Sequence, residues 1–132
     1  MTSVLLARIR STRGFTLIEL VVVMSLIVLL ATIGLSAYQS SVRRGREAVL
    51  REDLFRMRDA IDQYYADKGK YPESLDALAS EKYLRSLPVD PITESNATWV
   101  IVPPDDPKKG AVYDIKSGAQ GNASDGKPYS EW

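Results

Sequence analysis

Cysteine and histidine are both missing from this chain of 132 residues. Without cysteine there is no disulfide framework and no thiolate metal site. Without histidine the commonest general base and a common transition-metal ligand are gone. An excess of either charge is missing as well, because Lys plus Arg total 17 and Asp plus Glu total 17. Nucleic acid is therefore not an expected partner, since such binders show a basic excess. The adjacent acids Glu52-Asp53 and Asp105-Asp106 lie in polar contexts with no nucleophile or base motif beside them, so they read as solvated charges rather than an active site. The length suits one compact domain.

Charge is absent from residues 20–37, where LVVVMSLIVLL is almost unbroken aliphatic. As a helix, 18 residues cover about 27 Å, close to the hydrocarbon thickness of a bilayer. Residues 15–18 extend the apolar run, with one acid, Glu19, inside it. Nothing further along is apolar enough to span again. Arg8, Arg10 and Arg13 precede the span, and no acid occurs in the first fourteen residues. A secretory signal peptide would place small residues after the apolar run; here Gly14 stands before it. Charge counting leaves the orientation open, because Arg43, Arg44 and Arg46 follow the span and match the three arginines before it. That second cluster reads as a collar at the headgroups, or as partners for Glu47, Glu52 and Asp53 of adjacent subunits. An acid within a span costs roughly 2.5–3.5 kcal/mol, so Glu19 needs a partner or a route to water. Snorkelling to the headgroups supplies one answer, and neutralisation by the amine of a neighbouring subunit supplies another.

Residues 13–20, RGFTLIEL, resemble the prepilin peptidase site of type IV pilins and type II secretion pseudopilins. The resemblance implies cleavage after Gly14, N-methylation of Phe15, and an assembly role for Glu19, the fifth residue of the mature chain. It also places the N-terminus in the cytoplasm. Removing residues 1–14 deletes three arginines and no acid, which takes the neutral chain to −3. The expected organisation is a leader at 1–14, a transmembrane and assembly helix at 15–38, and a periplasmic pilin-like domain at 39–132.

Proline is absent before Pro72, so one helix can run from about residue 15 to 68. Leu50, Leu54, Met57, Ile61 and Tyr64 recur at spacings of four, three, four and three, an amphipathic stripe that Phe55 and Tyr65 widen. Gly34 and Gly45 are soft points, and Ser36 stands where pilins and many pseudopilins carry a proline. Gly69 suits the left-handed C-cap, and Pro72 can open a short helix through Leu75 and Leu78. The segments GKYPESLDAL and YLRSLPVDP resemble those of major pseudopilins. Residues 97–102 (ATWVIV) and 111–116 (AVYDIK) read as an antiparallel pair, which needs a helix to cover one face. The fold expected is α+β, a long N-terminal helix packed on a small antiparallel sheet.

The tail KSGAQGNASDGKPYSEW resembles the closing loop of G-type major pseudopilins, where bound calcium orders the segment. The Asn122 and Asp125 side chains, with Ser117 or neighbouring carbonyls, are the candidate oxygen donors for such an ion. A turn-rich loop pinned by Trp132 is the other reading. Adhesive type IV pilins often close this region with a disulfide, which this chain cannot form. The resemblance thus implies a structural subunit of a type II secretion pseudopilus, a homo-oligomeric filament driving export across the outer membrane. Its expected partners are the prepilin peptidase, the inner-membrane platform and minor pseudopilins. Its expected location is the bacterial inner membrane as a single-pass protein. The alternatives are a type IV pilus or competence pilin subunit, and a monomeric membrane-tethered periplasmic binding domain.

Overall fold

The computed structural model describes residues 14–132; Arg8, Arg10, Arg13 and the rest of the expected leader before Gly14 lie outside them. Helix α1 (Leu17–Lys68) is followed by α2 (Leu75–Ser80), β1 (Val100–Val102) and β2 (Asp114–Lys116). Contacts divide the chain into two units, one ending at Tyr38 and the other running Gln39–Trp132.

From Leu17 on, the described part of the first unit is apolar helix. Leu20, Ile27, Leu30 and Ile33 are each more than half exposed. The helix is long and apolar enough to cross a membrane. Two of its hydroxyls are satisfied locally: Ser25 Oγ donates to the Val21 carbonyl at 2.7 Å and Thr32 Oγ1 to the Val28 carbonyl at 2.8 Å. Neither hydroxyl therefore carries an unmet hydrogen bond into an apolar surrounding. Helical geometry continues through Gly34, Ser36 and Gly45.

In the second unit the expected stripe forms the core. Leu50, Leu54, Met57, Ile61 and Tyr64 are buried, together with Leu75, Leu78, Trp99, Val112 and Ile115. Each aliphatic side chain of this set contributes roughly 1.5–3 kcal/mol by leaving water. Phe55 departs from the expectation. At 67% exposure it lies on the outer face, because its position is one residue past the buried Leu54 and so about 100° round the helix. Tyr65 is half-buried and stacks on Tyr71 with ring centroids 4.4 Å apart. Gly69 ends α1 at φ +72°, its N–H reaching the Tyr65 carbonyl at 2.8 Å.

Pro72 does not open α2. Ser74 caps it, accepting from the Ala77 N–H at 3.3 Å, while the Pro72 carbonyl takes the N–H groups of Ala111 and Val112 at 3.1 and 2.9 Å. Those two bonds explain why β2 starts later than expected: the donors of residues 111 and 112 serve the Pro72 segment instead of a ladder. β1 is shortened similarly. Ala97 N–H turns to Ser95 Oγ at 3.1 Å, and the Trp99 indole donates to the Pro88 carbonyl at 2.8 Å. What remains is an antiparallel pair in the register Val100↔Lys116, Ile101↔Ile115 and Val102↔Asp114. The α+β architecture is as expected, with shorter strands.

Candidate functional site

The residues that the resemblance marks for processing and assembly stand at the start of α1. Gly14, Phe15 and Thr16 precede its first turn, and the Phe15 ring is 90% exposed. Thr16 occupies the N-cap. Its Oγ1 accepts the Glu19 N–H at 3.2 Å, and Glu19 Oε2 accepts the Thr16 N–H at 3.4 Å. This reciprocal pair is a capping box, in which each side chain satisfies a backbone donor that the helix leaves free. The negative carboxylate also sits at the positive end of the helix dipole. Glu19 thus has a partner inside its own chain, beyond the headgroup and the neighbouring amine that the composition of the span suggests. The signal, Thr16-x-x-Glu19, is plain in the sequence.

A second constellation gathers where the stem half of α1 meets the C-terminal loop. Glu47 is 5% exposed despite its charge. It accepts the Ser124 N–H at 2.8 Å, the Ser124 hydroxyl and the Tyr129 hydroxyl at 2.9 Å, with Arg43 Nε at 3.5 Å. Burial by itself pushes the Glu47 carboxyl up, but those hydrogen bonds and the Arg43 charge together hold it below its ordinary value. Arg43 also donates to the Asn122 carbonyl. One turn beyond Glu47, Arg51 Nη2 lies 3.5 Å from Asp125 Oδ2, and its guanidinium stacks 4.4 Å above the Trp132 ring. Trp132 in turn meets Tyr129 edge to face at 5.4 Å. Arg58 completes the seam with bonds to Asp114, to the Ile115 carbonyl and to the Trp132 carbonyl.

The collar arginines are accordingly turned to their own chain in part. Arg43 serves Glu47 and Asn122, and Arg46 lies 4.0 Å from Glu94. Glu52 pairs with Arg56 at 3.0 Å.

Two of the three candidate calcium donors are committed elsewhere. Ser117 is buried and gives its hydroxyl proton to Asp90 Oδ2 at 2.5 Å, while its oxygen accepts the Ala119 N–H. Asp125 accepts from Arg51 and, at 3.0 Å, from the Lys127 N–H. For Asn122 it is the backbone carbonyl, not the side chain, that accepts from Arg43. Among the described residues no group of three or more acidic ligands comes together. This donor set does not fit a calcium ion, which takes six to eight oxygens, carboxylates prominent among them. Fully buried Asp90 is the residue that sequence reasoning passed over: its other oxygen accepts the N–H of Ile92 at 2.8 Å and of Thr93 at 3.4 Å, folding the 90–95 loop.

Comparison with known proteins follows the same division. Residues 9–35 match the prokaryotic N-terminal methylation motif. The chain is 37% identical over 82 residues to fimbrial protein EcpC of Eikenella corrodens, covering 58% of this chain and 54% of that one. It is 39% identical over 64 residues to type IV major pilin protein PilE1 of Neisseria gonorrhoeae, covering 47% and 38%. Against the type II secretion system core protein G of Pseudomonas aeruginosa it is 31% identical over 98 residues, covering 62% of this chain and 69% of that one. The match thus spans about half or less of these two fimbrial relatives. No solved structure matches the chain significantly.

Proposed function

Since this chain belongs to the type IV pilin-like family, we propose that it is a subunit of a type II secretion pseudopilus, acting as a building block and not as a catalyst. The observation that carries the reading is coverage. The match to the secretion core protein runs through 69% of that protein, whereas the EcpC match covers 54% of its relative. Absence of cysteine agrees with it.

The proposed sequence of events begins with a membrane-anchored precursor whose N-terminus faces the cytoplasm and whose 39–132 domain faces the periplasm. Prepilin peptidase cuts after Gly14 and Phe15 becomes the methylated terminus. The apolar side chains along residues 20–35 then exchange lipid for sister helices, on the inner-membrane platform and with minor pseudopilins. Their exposure in the single chain supports this, because such a surface requires lipid or other helices around it. Between lipid and helix bundle the gain comes from packing and polar partners, not from leaving water. Glu19 supplies one such partner by meeting the amine of a neighbour.

A type IV pilus subunit is the second reading, favoured by the higher identity to the fimbrial proteins. Deleting the gene separates the two. Loss of exoprotein release with surface pili intact supports the secretion role. Loss of pili with release intact transfers the chain to the pilus.

A further inference from the structure

Arg43, Glu47 and Arg51 follow one another at intervals of four residues on α1, so they stand on one face a turn apart. In the same order they meet the C-terminal loop: Arg43 takes the Asn122 carbonyl, Glu47 takes the N–H and hydroxyl of Ser124, and Arg51 takes the Asp125 carboxylate. We propose that this ladder closes the loop onto the stem without a metal ion, two stem guanidiniums standing in for the cation that the family resemblance implies.

A divalent cation orders a loop by drawing several oxygens to one positive centre. Here two oxygens of the same loop, the Asn122 backbone carbonyl and the Asp125 carboxylate, already face positive charge. Arg43 holds Asn122 and Arg51 holds Asp125, and their charges sit on the rungs either side of Glu47. A calcium ion brought to the same loop meets repulsion from both guanidiniums. Glu47, the one buried carboxylate at the seam, has its lone pairs engaged by Ser124, Tyr129 and Arg43. The third expected donor, Ser117, is tied to Asp90. Within the loop, the Gly126 and Ala123 N–H groups make backbone bonds to Ala123 and Lys127 carbonyls at 3.0 and 2.7 Å, so the turn itself is complete without an ion. The inference is independent of whether the filament serves secretion or a pilus.

The test uses the full chain purified in detergent, with calcium chloride or EGTA as the only addition. Thermal unfolding followed by circular dichroism is expected to be the same in both. Cleavage of the Ser124–Asp125 bond by endoproteinase Asp-N, followed by mass spectrometry, is expected to quicken about tenfold in Glu47→Gln, which loses the charged acceptor that local opening must break. The double variant Arg43→Gln/Arg51→Gln is expected to do likewise while keeping Glu47 bonded to Ser124 and Tyr129, so that it remains informative should the single variant fold poorly. A melting temperature raised by calcium chloride overturns the proposal. So does cleavage at the wild-type rate in the double variant with its helical signal intact.

Discussion

The Tyr129 hydroxyl donates to the Glu47 carboxylate at 2.9 Å, joining residues 82 positions apart. That bond, with those of Ser124 and the charge of Arg43, makes the folded protein prefer ionised Glu47 even though burial opposes it. The folded value is depressed, so below the ordinary value of 4.5 the unfolded chain binds the proton first. Glu47 therefore adds its full stabilisation above that value and loses it as pH falls through the folded one. Thermal unfolding of the full chain in detergent, repeated downward through the carboxylate range, is expected to show this decline. Glu47→Gln should start lower at neutral pH and decline less steeply.

Neighbouring positions on the stem offer a sharper contrast. Leu54 is 2% exposed and Phe55 67%. Leu54→Ala leaves a cavity among Leu50, Met57 and the residues packed above them, at a cost of about 2–5 kcal/mol. Phe55→Ala removes a larger side chain from an open face and is expected to change stability by no more than about 0.5 kcal/mol. Denaturant unfolding of both variants measures the difference directly. Equal losses would mean that the burial stripe is misplaced by a residue.

Gly110 tests the joint between the strand connection and the end of α1. Its φ of +121° lies where side chains are strained, and a Cβ there would run into the Tyr71 carbonyl. The Tyr71 N–H meanwhile donates to the Lys109 carbonyl at 2.5 Å, so neither backbone is free to move away. Gly110→Ala is expected to cost about 1–3 kcal/mol from backbone strain alone, with the clash in addition. Gly121→Ala, with φ +87° but open space around it, should cost less. Melting temperatures of the two variants check the order.

The parts of this fold that were legible in the sequence are those set by local pattern. Leu50 to Tyr64 announce a buried helical face by period, Gly69 and Pro72 announce its end, and two β-branched runs announce a hairpin. The strand lengths were not legible, because the N–H groups of Ala111 and Val112 are claimed by a carbonyl at residue 72, and no window around residue 111 contains that competitor. The Arg43–Glu47–Arg51 ladder shows a second limit. Its spacing of four was visible, yet a charged face usually meets water, and the 122–125 loop that covers it lies more than 70 residues away. Ser117 illustrates the converse. A loop hydroxyl among Gly, Asn and Asp looks like an ion ligand, until a buried Asp90 from another segment takes its proton.

The cost of an acid in a span marks Glu19 in the sequence, and Thr16 stands at the three-residue separation that a capping box requires. The two roles can be pulled apart. Thr16→Ala removes the Oγ1 that accepts the Glu19 N–H, with an expected loss of about 1 kcal/mol at the helix start. It leaves the carboxylate free to meet a neighbour's amine. Glu19→Ala removes both the reciprocal bond to the Thr16 N–H and the charge. Hydrogen exchange in the first turn of α1 is therefore expected to quicken in both variants, whereas sedimentable filaments should persist in Thr16→Ala and vanish in Glu19→Ala. If Thr16→Ala abolishes filaments as completely as Glu19→Ala, the carboxylate acts by shaping its own helix end. The intersubunit partner is then not needed to explain its place in the span.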